Sequence, residues 1–216
     1  MSLAREFEHK ITEEDYIQGE LASDVKHEFI NGSVYAMVGA STKHNIISVN
    51  ISSEIRNKLK KDNSPCNTFA SDMKVKVSKK TTRYFYPDVM VVCGSNQENE
   101  KNASDDEYYQ NNPLIIFEVL SDSTEKYDKS EKRLAYFEIS SLKEYVLVEQ
   151  NKCEVIVFER DKNWQSNYYF LGDKINFASI DVTLSIEDIY YHVNIEELER
   201  YQEEKKLEQQ LKQQQK

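Results

Sequence analysis

The chain has 216 residues, 39% of them hydrophobic, which predicts one domain with a single core, followed by a short tail. Its formal charge of −10 at pH 7 excludes a protein that coats nucleic acid through an overall positive field, so any DNA contact must be local. No apolar run approaches the roughly 18 residues of a membrane span and the N-terminus is acidic and polar, so we expect a soluble, cytoplasmic protein.

The first elements are a short helix, a hairpin and a longer helix. Thr12 and the acids after it form a capping pattern, which predicts a helix to about Leu21. The Asn31-Gly32 pair between two strand-like runs predicts a β-hairpin with Glu28 on its first strand. From about 44 to 60, apolar residues recur every four positions, which predicts an amphipathic helix.

Three strand-like segments follow. Residues 69–77 alternate between apolar and polar side chains, which indicates a half-exposed strand. Residues 84–92 and 114–120 are almost continuously apolar, which is typical of strands buried on both faces at the centre of a sheet. The acidic, polar segment 95–112 between them predicts a surface loop.

The C-terminal half predicts a crossover and a helical tail. A helix over 124–140, followed by strands at 144–149 and 154–160, indicates a strand–helix–strand unit with parallel strands. Residues 195–216 consist mostly of strong helix formers without a sustained heptad, which favours a solvated helix over a short dimerising coiled coil. We therefore predict a domain at 1–192 and a charged helical tail at 193–216.

Cysteine usage indicates neither a disulfide framework nor a zinc cluster. Cys66, Cys93 and Cys153 are widely spaced and form no CxxC motif. We expect three reduced thiols, with Cys93 packed in the interior.

Two carboxylates interrupt the most apolar strands. Asp88 lies in the run 84–92 and Glu118 in the run 114–120. A buried acid is costly unless it is paired, hydrogen-bonded or bound to a metal. Neighbouring strands lie about 4.8 Å apart, so two such acids could share one hard divalent cation. The alternative is that both acids reach solvent at strand ends or pair with cations of the helix.

The order of several motifs resembles the PD-(D/E)XK nuclease signature and, more narrowly, the Uma-type restriction endonuclease family of bacteria. The matching blocks are His27–Gly32, His44, Tyr86-Pro87-Asp88, Glu118–Ser121, Asp128 with Glu131, Lys132 and Tyr136, and Glu144-Tyr145. The resemblance implies an α/β, restriction-endonuclease-like fold, with a mixed central β-sheet flanked by helices and the helical tail behind it.

The resemblance also implies a site and a reaction, the metal-dependent hydrolysis of DNA phosphodiester bonds. By it, Asp88, Glu118 and the backbone carbonyl of Val119 bind Mg²⁺, for which Mn²⁺ could substitute, and no organic cofactor is expected. Leu120 occupies the place of the usual lysine, so Lys132 on the following helix supplies the positive group. Glu28 is a further candidate, either as a metal ligand or as a partner that holds Lys132.

Other residues have more general assignments. Lys129 and Arg133 share the predicted helix with Lys132, and they are candidate DNA contacts together with Lys74 and Lys76 in the basic segment 72–83. Their alternative is a solvated, structural role. His44 begins an amphipathic helix, where a capping or structural role is the commoner one.

Two alternatives to the endonuclease remain open, and a homodimer of the endonuclease is a further expectation. A degenerate nuclease fold could serve as a DNA-binding or assembly module, because fold does not imply activity. Paired carboxylates also serve glycoside hydrolysis, whereas the scattered histidines disfavour a zinc hydrolase. A homodimer would supply the two active sites that simultaneous cutting of both strands requires.

Overall fold

The structure, a computed structural model, describes residues 10–78, 80–94, 108–122 and 124–214. Its helices are α1 (Glu13–Leu21), α2 (Thr42–Lys61), α3 (Glu125–Tyr127), α4 (Arg133–Phe137), α5 (Ile186–Ile189) and α6 (Glu196–Gln214). A π-helical segment, Asp128–Lys132, joins α3 to α4. The strands are β1 (His27–Ile30), β2 (Ser33–Ala36), β3 (Cys66–Ala70), β4 (Lys74–Val77), β5 (Arg83–Phe85), β6 (Val89–Cys93), β7 (Tyr109–Gln110), β8 (Pro113–Leu120), β9 (Glu144–Glu149), β10 (Glu154–Glu159), β11 (Gln165–Phe170), β12 (Lys174–Phe177) and β13 (Val182–Ser185).

A six-stranded mixed sheet forms the centre of the fold, in the order β11-β10-β9-β8-β6-β3. Strands β8 and β9 are parallel neighbours, and the helical segment between them in the chain connects them. All other neighbouring strands of this sheet are antiparallel. The buried isoleucines of α2 pack on one face of this sheet. Ala135 and Tyr136 of α4 pack on the other face. The predicted α/β architecture with a mixed central sheet flanked by helices is confirmed, as is the parallel crossover.

A second, five-stranded sheet has the order β2-β1-β5-β4-β7, and it was not predicted. The prediction of single strands at 69–77 and 84–92 is wrong, because each of these segments is divided into two strands. In each, one strand (β3 or β6) lies in the central sheet and the other (β4 or β5) lies in the second sheet. The breaks lie side by side, since the Ser71 amide donates to the Asp88 carbonyl at 3.0 Å. Ser71 adopts a positive φ of 32° and Pro87 has no amide proton for a ladder. Asp88 therefore lies just before β6, at the point where the two sheets diverge.

The N-terminal helix and hairpin are confirmed. The Thr12 side chain accepts a hydrogen bond from the Asp15 amide and caps α1. Asn31 and Gly32 both adopt positive φ, 49° and 91°, as a tight two-residue hairpin turn requires. The hydroxyl of Tyr16 on α1 donates to the His27 carbonyl at 2.6 Å and fixes the helix against β1.

The remaining connections differ in part from the predictions. Of the predicted loop 95–112, residues 95–107 lie outside the described residues, and 109–110 form β7, which pairs in parallel with β4. The β12–β13 hairpin and α5 lie in a region where no element was predicted, and they pack against α2. The predicted helix 124–140 contains the π-helical segment and ends at Phe137.

The C-terminal helix α6 is confirmed as an extended, largely solvated element. Leu198 is buried in the main core, whereas Leu207 and Leu211 are exposed. The division at residue 192 and the homodimer both remain predictions. Among the described residues, no helix is both long enough and apolar enough to cross a membrane.

The expectation of three reduced thiols is wrong for this structure, because Cys66 and Cys93 form a disulfide. Cys66 begins β3 and Cys93 ends β6, and the two residues face each other in the antiparallel register with Cα atoms 4.0 Å apart. A sequence separation of 27 gives no sign of this register. Cys153 is a buried free thiol.

Candidate active site

Three acids surround Lys132 in the interior of the molecule. The Lys132 ammonium lies 3.0 Å from Oε1 of Glu118 on β8, 3.0 Å from Oε1 of Glu28 on β1, and 3.7 Å from Oδ1 of Asp128. Lys132 is only 5% exposed and Glu118 only 3%. The helix lysine therefore meets the strand acid, as the resemblance implies, and Glu28 holds it from the second sheet.

The π-helical segment explains why Lys132 points inward. Wider turns of this kind occur mostly as single-turn insertions in α-helices, frequently at functional sites. Asp128 and Lys132 occupy its two ends, and both side chains are buried. Tyr136, four residues further along, is also buried, and its hydroxyl donates to Oε1 of Glu118 at 2.8 Å. The helix thus presents an acid, a cation and a hydroxyl to one point of the central sheet.

Asp88 lies beside Glu118 through the register of β6 and β8. Val89 pairs with Phe117 in this antiparallel ladder, so the next position joins Asp88 to Glu118, with both side chains on one face. The Val119 amide donates to Oδ2 of Asp88 at 2.7 Å and orients that carboxylate. Adjacent strands therefore bring together the two acids that the sequence singled out.

His44 contacts the same oxygen of Asp88. Its Nε2 lies 3.1 Å from Asp88 Oδ2, and the two side chains are 15% and 17% exposed. The Ser41 side chain caps α2 by accepting from the His44 amide, so the helix terminus fixes the ring in place. The structure brings His44 into the acidic cluster, which its place in the sequence alone did not predict.

The electrostatics reveal more negative charge than Lys132 balances. Burial raises the pKa of the Glu118 carboxyl well above its usual range, with further increases from Asp88 and Asp128 that the opposing effect of Lys132 does not cancel. Burial likewise raises the pKa of Asp128. Burial alone would lower the pKa of Lys132, but the surrounding acids raise it well above its usual value. A further cation at this point would lower the energy of the ionised acids.

The oxygen atoms available in the cluster are of the kind that hard divalent cations prefer as ligands. Asp88 Oδ1 and Glu118 Oε2 accept no hydrogen bond from the part of the chain that the structure describes. Carboxylate oxygens are the ligands that Mg²⁺ and Mn²⁺ prefer. However, among the described residues no group of three His, Cys, Asp or Glu side chains is arranged to hold a metal ion. A complete site would need a backbone carbonyl or water beside the two carboxylates.

The two DNA-contact candidates of the basic segment both contact other side chains of the molecule. Lys74 is buried, with its ammonium 3.4 Å from the Tyr86 hydroxyl and 5.3 Å from the centroid of that ring. The Lys76 ammonium lies 2.5 Å from a carboxylate oxygen of Glu13. Contact of either lysine with DNA stays a prediction, and this arrangement favours the structural alternative.

The two helix candidates are also engaged elsewhere. Lys129 lies 2.7 Å from Glu125 and 2.8 Å from Glu149, away from the acidic cluster. The Arg133 guanidinium lies over the Phe158 ring, 5.0 Å from its centroid. The helix face that points to the cluster consists of Asp128, Lys132 and Tyr136, a spacing of four that is visible in the sequence. This spacing is the signal that could have added Asp128 to the site.

Comparison with known proteins places this chain in a family. Residues 13–186 match the sequence model of the Uma2 family, described as "Putative restriction endonuclease". Two uncharacterized proteins of Synechocystis sp. are each 33% identical: slr1290 over 183 residues, 84% of this chain and 92% of that protein, and sll1609 over 156 residues, 71% and 84%.

A solved structure shares the fold. It comes from Anabaena variabilis, is described as "a putative nuclease belonging to DUF820", and aligns with a TM-score of 0.63 at 18% identity, covering 78% of this chain and 91% of that chain. The resemblance inferred from the motifs is thereby confirmed. With a family match that spans the hairpin, both strand acids and the lysine-bearing helix, the chain belongs to the Uma2 family of restriction-endonuclease-like proteins.

Proposed function

We propose that the chain is a metal-dependent DNA endonuclease with Asp88, Glu118 and Lys132 at its active site. The observation that carries the proposal is the convergence of these three residues on one point of the central sheet, Asp88 from the position just before β6, Glu118 from β8 and Lys132 from the π-helical segment. The buried acid Glu118 beside the half-buried Asp88 is costly to maintain where the nearby positive charge does not balance the negative charge. Such a cost is understandable where the acids bind a cation that promotes hydrolysis of a phosphodiester bond.

In this proposal Mg²⁺, or Mn²⁺ in its place, is held by Asp88, Glu118 and the Val119 carbonyl, and Glu28 either joins this set or holds Lys132. The bound cation would polarise the phosphate and lower the pKa of its water. The Val119 amide and Tyr136 hydroxyl orient the two carboxylates, so the ligands need little rearrangement. Lys132 keeps its proton, because the surrounding acids raise its pKa, and it can donate to a phosphate oxygen as negative charge develops.

The decisive experiment is cleavage of plasmid, linear duplex and single-stranded DNA with and without Mg²⁺ or Mn²⁺. We expect cleavage by the wild type that requires the metal and falls by at least about a hundredfold in Glu118→Gln and in Lys132→Met. Circular dichroism must first establish that each variant is folded. Lys132→Met keeps the aliphatic stem and removes only the charge.

Two matched controls separate chemistry from general damage. Glu144→Gln neutralises another buried strand acid, one whose pKa burial also raises but which bonds Ser179 outside the cluster. Lys162→Met removes an exposed lysine paired with Glu159. Both controls should cleave like the wild type. A folded wild type that cuts none of the substrates would instead support the degenerate module that binds DNA or assembles with a partner.

A further inference from the structure

We propose that Tyr35 is a stacking platform for an unpaired base next to the scissile phosphate, so that the preferred substrate is single-stranded or locally unpaired DNA. This inference deepens the proposed function and rests on it. It concerns the kind of nucleic acid that the site accepts, which neither the fold nor the acidic cluster determines.

Tyr35 lies directly beside the acidic cluster. In the β1–β2 hairpin it pairs with Glu28, and paired residues of antiparallel strands project from the same face with Cβ atoms about 5 Å apart. The Glu28 carboxylate is the one that lies 3.0 Å from the Lys132 ammonium. The register therefore places the tyrosine one side chain away from the proposed reaction centre.

The ring of Tyr35 is available to a ligand. It is 54% exposed, and β2 is the edge strand of the five-stranded sheet. Within the described part of the chain, its ring makes no aromatic contact and its hydroxyl makes no hydrogen bond. The neighbouring tyrosines differ, because Tyr16 and Tyr84 pack in a buried aromatic cluster with Phe29. An exposed aromatic beside a polar site is typical of recognition rather than of core packing.

The charges around the site favour an unpaired strand over a duplex. Duplex affinity comes mainly from cations that neutralise phosphates. Here the chain carries a net charge of −10, and the four candidate cations are buried, ion-paired or stacked inside the molecule. A single strand also carries phosphates, but its binding depends less steeply on salt than that of a duplex. A base with a free face adds about 1–3 kcal/mol by stacking on an aromatic side chain, which can offset missing phosphate contacts. Bases in an intact duplex stack on one another, so only an unpaired base offers that face.

Binding can be tested apart from cleavage by fluorescence anisotropy in EDTA, with a labelled oligothymidylate and a duplex of the same length. We expect the wild type to prefer the single strand, and Tyr35→Ala to weaken single-strand binding by roughly tenfold with little change for the duplex. Tyr35→Phe keeps the ring and should bind like the wild type. Tyr168→Ala is the matched control, because Tyr168 is a 55% exposed tyrosine on the edge strand β11.

Several results would overturn the inference. These are no measurable single-strand binding by the wild type, equal binding by wild type and Tyr35→Ala, or a loss in Tyr35→Phe as large as in Tyr35→Ala. A loss in Tyr168→Ala equal to that in Tyr35→Ala would do the same. The proposed function fails separately: an absence of metal-dependent cleavage with intact, Tyr35-dependent binding would remove the nuclease and leave a single-strand binding site.

Discussion

The acidic cluster has two unlike halves. The inner half, in which Glu118, Glu28 and Asp128 surround Lys132, is almost closed to solvent, with side chains 4–12% exposed. The outer half, Asp88 with His44, is more exposed, at 17% and 15%, and Asp88 accepts a hydrogen bond from the Val119 amide. Both halves contain an acid–base pair, but they differ in what removal of the base would leave behind.

The difference teaches that the same residue types can serve stability and ligand exchange in one site. Breaking a buried pair leaves an uncompensated charge in a poorly polarisable interior, whereas a partly exposed acid regains water. The inner half therefore holds the Glu118 side chain in position through Lys132 and Tyr136. In the function proposed above, the outer half is the side on which a cation and a phosphate would enter.

The largest expected effect comes from Lys132→Met, which removes the charge of the inner half but keeps most of the side-chain volume. It leaves the buried carboxylates of Glu118 and Asp128 and the half-buried one of Glu28 without their cation, so we expect the free energy of unfolding at neutral pH to fall by about 3–5 kcal/mol. Urea denaturation measures this change. The deficit should shrink as the pH is lowered, because the carboxyls then bind protons.

Two variants sharpen this first prediction. Lys129→Met removes a cation from the same helical run, but one that is part-exposed and pairs outside the cluster, and it should cost no more than about 1 kcal/mol. Adding Glu118→Gln to Lys132→Met should recover part of the lost stability, because one uncompensated charge disappears. If both lysine variants lose equal stability, the contrast between the halves fails.

A smaller effect is expected from the cation that would join the halves. Mg²⁺ bound between Asp88 and Glu118 should raise the free energy of unfolding by about 2.7 kcal/mol at a concentration one hundred times its Kd. Thermal unfolding with increasing Mg²⁺ measures this stabilisation. Asp88→Asn and Glu118→Gln should each abolish it, whereas Glu144→Gln should retain it. Equal stabilisation in all four proteins would place the ion elsewhere.

The smallest effect concerns His44 in the outer half. Burial alone would lower its pKa, but its hydrogen bond with Asp88 and the charge of that acid raise the pKa above 6.5. The pair therefore stabilises the fold fully below the unfolded pKa of 6.5, and this contribution disappears as the pH rises through the folded value. His44→Gln should cost at most about 1 kcal/mol near pH 6 and less near pH 9.

The control for this variant is His192→Gln, which changes an exposed histidine on a loop. Its replacement should cost less free energy of unfolding near pH 6 than that of His44, because its ring contacts Tyr191 and lies outside the acidic cluster. A His44→Gln deficit that grows with rising pH would contradict the proposed pairing with Asp88.

The sequence predicts most of the secondary structure because its signals are local. The Thr12 cap, the Asn31-Gly32 turn and the four-residue spacing of apolar side chains in α2 each depend on a few neighbouring residues. The two broken strands were missed because a break between sheets leaves the apolar pattern unchanged. Only the pairing partners of β4 and β5 distinguish a strand that changes sheets at Ser71 or Asp88 from one that continues.

The candidate site follows the same division. Asp88 and Glu118 stand out as acids in apolar runs, and Lys132 follows from the resemblance. His44 and Asp128 join the cluster through the positions of α2 and of the π-helical segment, which depend on packing. The contacts of Lys74 with Tyr86 and of Lys76 with Glu13 could not be predicted either, because charge composition does not reveal which cations are already paired.

The bond between Cys66 and Cys93 turns part of the chain into a covalent ring. That ring contains β4, β5 and Asp88, so it encloses the whole passage from the central sheet to the second sheet and back. Lys80, whose side chain is 75% exposed, lies within it. Trypsin cleavage after Lys80 would therefore leave both fragments linked, and the nicked protein would migrate as one chain until a reductant is added.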